Sequence, residues 1–263
     1  MKEEGKHYCD TSKVFIKKIN AVVAKKMIVK YHYTHSWSSC KYAIGIYYVD
    51  SSSDTFGDDV LIGCAIYGNP VGRSAAASVS DTLAIDSVLE LTRLYIHDGY
   101  GSNIESYALG KTFKWIKEND PDIKALISYA DASQAHLGRI YQATNWIYQG
   151  TNTDLALMPN YELSLQKNPY KWIHSRTVFS KWGSSNVDHL RREIGKQNIT
   201  EFWRRIEASK HRYIQLIGNP RSKKNLKQLL KHPEKDYPKN SDVFMNEIHH
   251  HYTSYEKSSL NFW

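Results

Sequence analysis

Two side chains capable of acid–base chemistry, Asp131 and Tyr141, stand close together in the stretch "SYADASQAHLGRIYQATNW" (128–146). Asp131 ends an apolar segment that has the pattern of a buried strand, and Tyr141 lies in a segment with helical spacing directly after it. Ligands of open α/β sheets bind outside the carboxyl ends of strands, so an Asp at this point can accept a proton or hold a ligand. The same Asp can simply cap the next helix, and the Tyr can simply fill the core.

Arg93 is a charged residue inside the apolar stretch "LELTRLYI" (89–96). Strict alternation along a strand puts its side chain on the same face as Leu89, Leu91 and Tyr95. A guanidinium on a largely apolar face requires a partner, which could be a structural carboxylate or a bound anion.

The stretch "DGYGSN" (98–103) places two glycines directly before a predicted helix. Such a turn can present backbone amides to a phosphate, although a plain tight turn has the same composition. The residues that would bind a cofactor here are Gly99, Gly101, Ser102 and Asn103. We expect the helix to open with a capping box, in which Ser102 accepts the amide of Glu105 and the Glu105 carboxylate reaches back.

The stretch "KYHYTH" (30–35) gathers His32, Tyr33 and His35 near the end of a predicted helix. Two histidines three residues apart resemble half of a metal site. The sequence does not show a clear second half.

Positive charge is concentrated in the second part of the chain. Residues 1–150 carry no net charge, whereas residues 151–263 hold the whole net charge of +8. Within that part, residues 210–231 have seven Lys and Arg and no acid. The stretch is either a solvated face or a surface that follows a phosphate backbone, and the asymmetry between the two parts favours the second interpretation. Its candidate DNA-binding residues are Lys210, Arg212, Arg221, Lys223, Lys224 and Lys227.

The elements that must position these residues alternate between strand and helix patterns. This alternation predicts an α/β fold, with a mixed central sheet flanked by helices over residues 1–185. Beyond residue 185 we expect a basic, mainly helical extension with a polar tail (186–263), packed on the first domain or contacting DNA. The predicted strands are 14–19, 42–49, 60–68, 88–96, 124–131, 146–150 and 172–183, and the predicted helices are 21–33, 102–119 and 136–145.

The chain has only three scattered cysteines, no signal-peptide pattern at its start and no apolar run near the roughly 20 residues that a membrane-spanning helix needs. These features predict a soluble protein of a reducing compartment, the cytoplasm, with no membrane partner.

Several of these motifs together carry a resemblance to known families. The succession of a strand, a glycine turn opening a helix, "SYAD" and "GRIYQATNW" is similar to the core of GNAT acyltransferases. The ordered set "YHY", "GNPVGR", "LELTRL", "GYGSNIES", "SYAD" and "IYQATNWIY", over residues 14–183, resembles the Mom family of phage DNA-modification proteins.

The resemblance implies conversion of adenine in double-stranded DNA to its N6-carbamoylmethyl form, which shields phage DNA from host restriction. It also implies a GNAT-like mixed sheet. The positions that match functional residues of the family are His32, Tyr33, Arg93, Ser106, Asp131 and Tyr141.

The donor of the transferred group is not defined by the sequence. A GNAT pyrophosphate loop usually has Arg or Gln three residues before its first glycine, and Ile96 stands at that position, so an acyl-CoA-like donor fits poorly. Adding a carbamoylmethyl group is also alkylation at carbon rather than ordinary acyl transfer. A carboxylate and a Tyr could move the protons, or His32, Tyr33 and Asp131 could converge on a metal such as iron.

Two other functions remain compatible with the sequence. One is a GNAT-type N-acyltransferase that uses acyl-CoA on a protein or small-molecule amine, and the other is a non-catalytic DNA-binding protein with a GNAT-like shell. Modification inside a duplex requires the adenine to be flipped out, at a cost of a few kcal/mol that aromatic stacking can partly offset. The sequence does not define the oligomeric state, and a homodimer is compatible with it.

Overall fold

The computed structural model describes residues 8–49, 59–71, 73–132, 136–151, 155, 161–165, 171–184, 186–197, 201–206, 210–239 and 255–259. Among these residues, no helix is long and apolar enough to cross a bilayer.

Ten strands and seven helices make up the regular structure of the described residues. The strands are β1 (Val14–Lys18), β2 (Tyr42–Val49), β3 (Asp59–Gly68), β4 (Val88–Ile96), β5 (Ala125–Asp131), β6 (Ile147–Thr151), β7 (Tyr161–Ser164), β8 (Glu201–Ile206), β9 (Lys210–Leu216) and β10 (Tyr255–Ser259). The helices are α1 (Ala21–Tyr31), α2 (Arg73–Ala77), α3 (Ile104–Asn119), α4 (Arg139–Ala143), α5 (Ser175–Trp182), α6 (Val187–Gly195) and α7 (Pro220–Gln228). Short 3₁₀ turns cover Thr11–Lys13 and Ile85–Ser87.

A seven-stranded mixed sheet with the strand order β1-β2-β3-β4-β5-β9-β6 forms the centre of the fold. Strands β1 to β4 pair antiparallel in sequence order, and β4 pairs parallel with β5. A second sheet has the order β10-β8-β7. The mixed sheet flanked by helices confirms the predicted α/β fold class.

The chain forms two compact units. The first comprises residues 1–129, 138–149 and 212–235, and the second comprises residues 130–137, 150–211 and 236–263. Both units therefore draw on residues beyond 185.

Helices cover the two faces of the central sheet. Helix α1 packs Ala24 and Ile28 against Ile66, on what we call the α1 face. Helix α3 packs Ile104 and Ala108 on the opposite side, which we call the α3 face, together with Ile46 and Ile62.

The second unit has its own core. Val178 and Trp182 of α5 pack with Leu163 of β7, Leu190 of α6 and Phe202 of β8. The predicted strand 172–183 is therefore wrong: the side chain of His174 accepts the amide of Arg176, and α5 ends at Gly183 in the left-handed region. Beyond residue 185 the described residues form strands as well as the expected helices.

The predicted capping box of α3 is also absent. The N-cap is Asn103, with φ of 70° and no side-chain cap. Its side-chain oxygen instead accepts the amide of Cys9 at 3.3 Å, and the carbonyl of Ser102 accepts the same amide at 3.1 Å. A long-range contact therefore takes the groups that local sequence assigned to the cap.

Candidate functional site

A β-bulge at Thr92 in β4 decides which way Arg93 points. Opposite β3, Leu91 pairs with Tyr67 and Arg93 pairs with Ile66, so Thr92 is the extra residue. Tyr67 lies on the α3 face, because its hydroxyl bonds α3, whereas Ile66 packs against α1. Arg93 therefore lies on the α1 face, and the prediction that it shares a face with Leu91 is wrong, because a bulge interrupts the alternation.

The Arg93 guanidinium is half-buried and has neutral acceptors. Nε donates to the Ser36 carbonyl at 3.1 Å, Nη2 to the Ser36 hydroxyl at 3.0 Å and Nη1 to the Thr92 carbonyl at 2.6 Å. Burial lowers the pKa of Arg93, while the charges of Tyr33 and Glu90 act in the opposite direction. No carboxylate forms an ion pair with Arg93 within the described ranges. Of the two partners predicted for Arg93, a structural carboxylate and a bound anion, the bound anion still has to be tested.

Strands β4 and β5 separate beside this residue, and Ser128 fills the gap. Their register ends at the pair Glu90–Ile127. One residue further on, Ser128 Oγ lies 3.0 Å from the Leu91 carbonyl oxygen and 2.8 Å from the Tyr141 hydroxyl. The Ser128 hydroxyl thus takes the place of a backbone hydrogen bond between β4 and β5. It also connects the Tyr141 hydroxyl to the point where the pairing of these two strands ends.

Tyr141 is a poor acid in the free protein. Burial raises the pKa of its hydroxyl to about 12, and the charges of Tyr33 and Glu90 add to this rise, whereas the hydrogen bond with Ser128 lowers it. The hydroxyl is therefore protonated at neutral pH. It can donate a hydrogen bond or a proton, and the raised pKa opposes a role as tyrosinate base.

His32 and Tyr33 lie directly beyond α1. His32 is the C-cap of this helix and is 7% exposed. Its Nδ1 accepts the backbone amide of Thr34 at 3.2 Å, so the proton of the neutral imidazole is on Nε2. The ring centroids of His32 and Tyr33 are 4.4 Å apart, and Tyr33 is 54% exposed.

These contacts define one electrostatically connected group, which we call the Arg93 cluster: Tyr33, Glu90, Arg93, Ser128 and Tyr141. The charges of Tyr33 and Glu90 oppose the lowering of the Arg93 pKa by burial and add to the rise of the Tyr141 pKa. Three of the residues expected from the family resemblance thus come together, and Tyr33 adds contact with a fourth, His32. Sequence reasoning missed Glu90 and Ser128. An acid inside an apolar strand was a signal for Glu90, but only the bulge places it on the same face as Arg93.

The other two predicted residues have different surroundings. Ser106 donates its hydroxyl to the Asn103 carbonyl at 2.9 Å, within the first turn of α3. Asp131 is the last residue of β5 and belongs to the second unit. Helix α4 begins at Arg139 with Gly138 as its N-cap, so Asp131 does not cap that helix. The roles of Ser106 and Asp131 in chemistry stay predictions.

A cavity of about 460 Å³ opens at the turn between β4 and α3. Gly99 and Gly101 have φ of 99° and 92°, which L-residues with side chains rarely adopt. A Cβ on Gly101 would lie 2.6 Å from the backbone nitrogen of Cys9, whereas a Cβ on Gly99 would meet open space. The cavity lining is His97, Asp98, Gly99, Tyr100, Gly101, Ile104 and Glu105.

This lining does not fit the pyrophosphate of acyl-CoA. It contributes two carboxylates, Asp98 and Glu105, and no Lys or Arg. A polyanion would meet repulsion there. Packing against Cys9 also accounts for Gly101, independently of any phosphate.

No group of three or more His, Cys, Asp or Glu side chains able to hold a metal ion occurs in the described part of the chain. The predicted set His32, Tyr33 and Asp131 contains a phenol and spans both units, and it stays a prediction.

The predicted basic surface is smaller in the structure than in the sequence. Arg212 is 2% exposed; Nε donates to the Gln149 side chain at 2.9 Å, Nη1 to the Ser78 hydroxyl at 2.7 Å and Nη2 to the Ser78 carbonyl at 3.2 Å. The assignment of Arg212 to a DNA surface is therefore wrong, because β9 lies inside the sheet, between β5 and β6, and is buried on both of its faces.

Other cations of this stretch are partly neutralised. Lys227 pairs with Glu234, and Lys231 pairs with Asp81 at 2.6 Å. Burial, helped by the charge of a nearby lysine, lowers the pKa of Lys223. Lys210 opens β9 and is half-buried, which leaves Arg221 and Lys224 of α7 as the exposed candidates without a described ion pair.

Comparison with known proteins gives one family and several fold neighbours. A model of the Mom protein family matches residues 13–239. The methylcarbamoylase mom of Escherichia phage Mu is 25% identical over 213 residues, which are 80% of this chain and 78% of that protein. An N-acetyltransferase from Staphylococcus aureus Mu50 superposes with a TM-score of 0.38 and 10% identity, over 77% of this chain and 97% of that chain. A putative acetyltransferase from Acinetobacter baylyi ADP1 gives 0.40 and 11%, over 85% and 97%.

Proposed function

The chain belongs to the Mom protein family, and from this we propose that it is a phage DNA-modification enzyme that converts adenine in double-stranded DNA to N6-carbamoylmethyladenine. The observation that carries the proposal is the Arg93 cluster. Tyr33, Arg93 and Tyr141 match the family motifs, the bulge in β4 turns Arg93 to the same face as Glu90, and the charge of Tyr33 acts on the pKa of both Arg93 and Tyr141.

The transfer forms a bond between adenine N6 and the methylene carbon of a carbamoylmethyl donor, while the bond from that carbon to its leaving group breaks. The exocyclic amine is a weak nucleophile because its lone pair is delocalised into the ring, so a base must take its proton. We assign that task to Asp131, and proton donation to the leaving group to Tyr141, whose raised pKa keeps the proton in place until transfer.

Arg93 provides a positive charge at this site. Burial lowers its pKa, because the guanidinium loses part of its hydration, and no carboxylate of the described residues forms an ion pair with it. An anion that develops in the reaction, such as the leaving group, would be stabilised there more strongly than in water.

Neither the donor nor a metal is defined. The acidic cavity at the β4–α3 turn favours a donor without a pyrophosphate, which counts against the acyl-CoA-dependent N-acyltransferase alternative. Iron held by His32, Tyr33 and Asp131 remains a hypothesis. Binding through Nε2 of His32 would require the other tautomer, in which Nε2 has lost its proton and Nδ1 donates to the Thr34 hydroxyl, 2.9 Å away, instead of accepting the Thr34 amide.

Mass spectrometry of nucleosides from the DNA of bacteria expressing the chain tests the proposal. We expect deoxyadenosine carrying one added carbamoylmethyl group, absent from cells that contain the empty vector. Unmodified adenine together with tight duplex binding would instead identify a non-catalytic DNA-binding protein. Unmodified DNA together with acylated proteins or amines would identify the N-acyltransferase.

A further inference from the structure

A second basic stretch lies in the first part of the chain, where the neutral net charge hides it. Residues 11–49 contain seven lysines and no Asp or Glu. This stretch has as many basic residues as residues 210–231. It also includes His32 and Tyr33 of the candidate site.

Three of these seven lysines lie on α1. Lys17 pairs with Asp59 and Lys41 pairs with Asp120, each at 2.8 Å. No ion pair with another described residue involves the three lysines of α1, which we call the α1 basic face: Lys25, Lys26 and Lys30. Their charges are therefore not neutralised within the described ranges.

Helix α1 presents these lysines to solvent. Ala24 and Ile28 are fully buried against the sheet. Lys25, Lys26 and Lys30 are all exposed, and so are Val22 and Val29, at 60% and 41%. The exposed side of α1 therefore combines positive charge with apolar surface and has no acid. Such a surface is suited to binding a polyanion that also carries apolar groups.

The α1 basic face continues into the candidate site. The helix ends at Tyr31, and the next residues are His32 and Tyr33. Tyr31 stacks on Tyr95 of β4 with centroids 5.7 Å apart, and Tyr33 is electrostatically connected to Arg93. The cations are therefore placed within about two helical turns of the aromatic side chains at which a flipped base would arrive.

The spacing along the helix suits a nucleic-acid backbone. At about 1.5 Å per residue, Lys26 and Lys30 lie about 6 Å apart along the axis. Phosphates of one DNA strand follow each other every 3.4 Å or so along the duplex axis, so two lysines one turn apart can reach phosphates separated by about two nucleotides.

We propose that the α1 basic face binds the phosphates that flank the target adenine and so positions the flipped base at the Arg93 cluster. The occupant is double-stranded DNA, identified by charge complementarity and by the position of the face beside the site. This inference rests on the proposed function, and it adds the surface that brings substrate to the chemistry. The contacts are sequence-independent, because phosphates position a protein while base edges specify.

The test compares two triple charge reversals in the full chain. The first is Lys25→Glu, Lys26→Glu and Lys30→Glu. The control is Lys111→Glu, Lys114→Glu and Lys117→Glu on α3, which changes the net charge equally on the opposite face of the sheet, at residues that are also exposed. Thermal unfolding verifies that both variants are folded.

Affinity for a fluorescent duplex is measured at several salt concentrations. Each lost phosphate contact should flatten the slope of log affinity against log salt by about 0.9, so the α1 variant should lose up to about 2.7 units of slope and at least roughly tenfold in affinity at low salt. The control should keep most of the slope. Replacing the same three α1 residues with Arg should retain binding.

The outcomes separate this inference from the function on which it rests. A wild-type slope in the α1 variant, together with modified adenine in cells expressing the wild type, overturns the inference and leaves the function standing. An equal loss in the α1 variant and the α3 control also overturns it, since net charge alone would then explain binding. A wild type that neither binds duplex nor modifies DNA overturns both.

Discussion

Ser128 has one hydroxyl proton and two acceptors within reach, the Leu91 carbonyl oxygen at 3.0 Å and the Tyr141 hydroxyl oxygen at 2.8 Å. When Ser128 donates to the Tyr141 oxygen, the phenolic proton of Tyr141 stays available to a substrate group. This donation lowers the pKa of Tyr141 against the effect of burial. Ser128 therefore stabilises the phenolate that remains after Tyr141 gives up its proton, by a neutral hydrogen bond worth about 1 kcal/mol at rest.

Tyr141→Phe should abolish most of the modification and leave the fold intact. The ring packs against Trp146 and Tyr213 with centroids 5.0 Å away from each, and Phe retains that packing. Loss of a positioned acid typically reduces rates by about 10² to 10⁴. Quantified modified adenine and thermal unfolding give the two readouts. Ser128→Ala is the control, since it removes the partner but keeps the acid; full activity of Tyr141→Phe would assign Tyr141 to the core.

Arg93→Lys should fail as well. The planar fork makes three contacts that an ammonium group cannot reproduce, two to Ser36 and one to Thr92. Ser36→Ala removes the hydroxyl contact with Nη2 but keeps the carbonyl contact with Nε, so it is the mild control. A role limited to holding the loop at Ser36 predicts that Arg93→Lys lowers Tm together with modification. A role at a bound anion predicts that Arg93→Lys loses modification with a Tm close to that of Ser36→Ala. Normal modification by the Lys variant would leave Arg93 without a function in chemistry.

Asp131→Asn should leave a folded protein that no longer modifies DNA. Asn has the same shape and hydrogen-bonding reach but cannot take the proton from the adenine amine. Because α4 is capped by Gly138, loss of a helix cap at its start does not complicate the result. The assay is again nucleoside mass spectrometry, with duplex affinity as the control; a variant that both binds and modifies like the wild type would remove Asp131 from the mechanism.

The turn between β4 and α3 is held by its fit against the segment Tyr8–Cys9. Gly101→Ala should therefore destabilise the protein more than Gly99→Ala, although both glycines have positive φ. The added methyl at 101 meets backbone, while the one at 99 meets open space. We expect a difference of about 1–3 kcal/mol, or several degrees in Tm. Equal Tm values for the two variants would show that the Tyr8–Cys9 segment can move away from the added methyl group without loss of stability.

Local patterns predicted most elements but not the irregularities that make the site. Strands such as 42–49 and 88–96 follow from apolar runs that end at polar residues, and the structure places them at those bounds. The bulge at Thr92 has no sequence signal of this kind, because it depends on the pairing partner in β3. Glu90 and Ser128 therefore could not be assigned. His32, Tyr33 and Tyr141 could, because their motifs are local.

The charge distribution of the protein is less segregated than the chain order suggests. Of the C-terminal cations, Arg221 and Lys224 are exposed without a described ion pair, while Arg212 is inside. The double variant Arg221→Glu and Lys224→Glu should flatten the salt slope of duplex binding by about 1.8 units if both residues contact phosphates.

Arg212→Gln provides the contrast to that double variant. It should leave the salt slope unchanged and lower the free energy of unfolding by about 1–3 kcal/mol, because the Gln149 and Ser78 acceptors lose their donor. A flattened slope in Arg212→Gln, or an unchanged slope in the double variant, would contradict this division of roles.

Strand β9 lies between β5 and β6, although it begins only at Lys210, after β5 has ended at Asp131 and β6 at Thr151. During synthesis, at about 5–20 residues per second, β5 and β6 must wait several seconds with unpaired edges before their common neighbour leaves the ribosome. A stop codon anywhere before residue 216 would therefore not yield a shorter enzyme. It would yield a sheet that ends at an unpaired β5, with β6 detached and with an edge prone to pair with other nascent chains, so only a chain translated through β9 can complete the sheet.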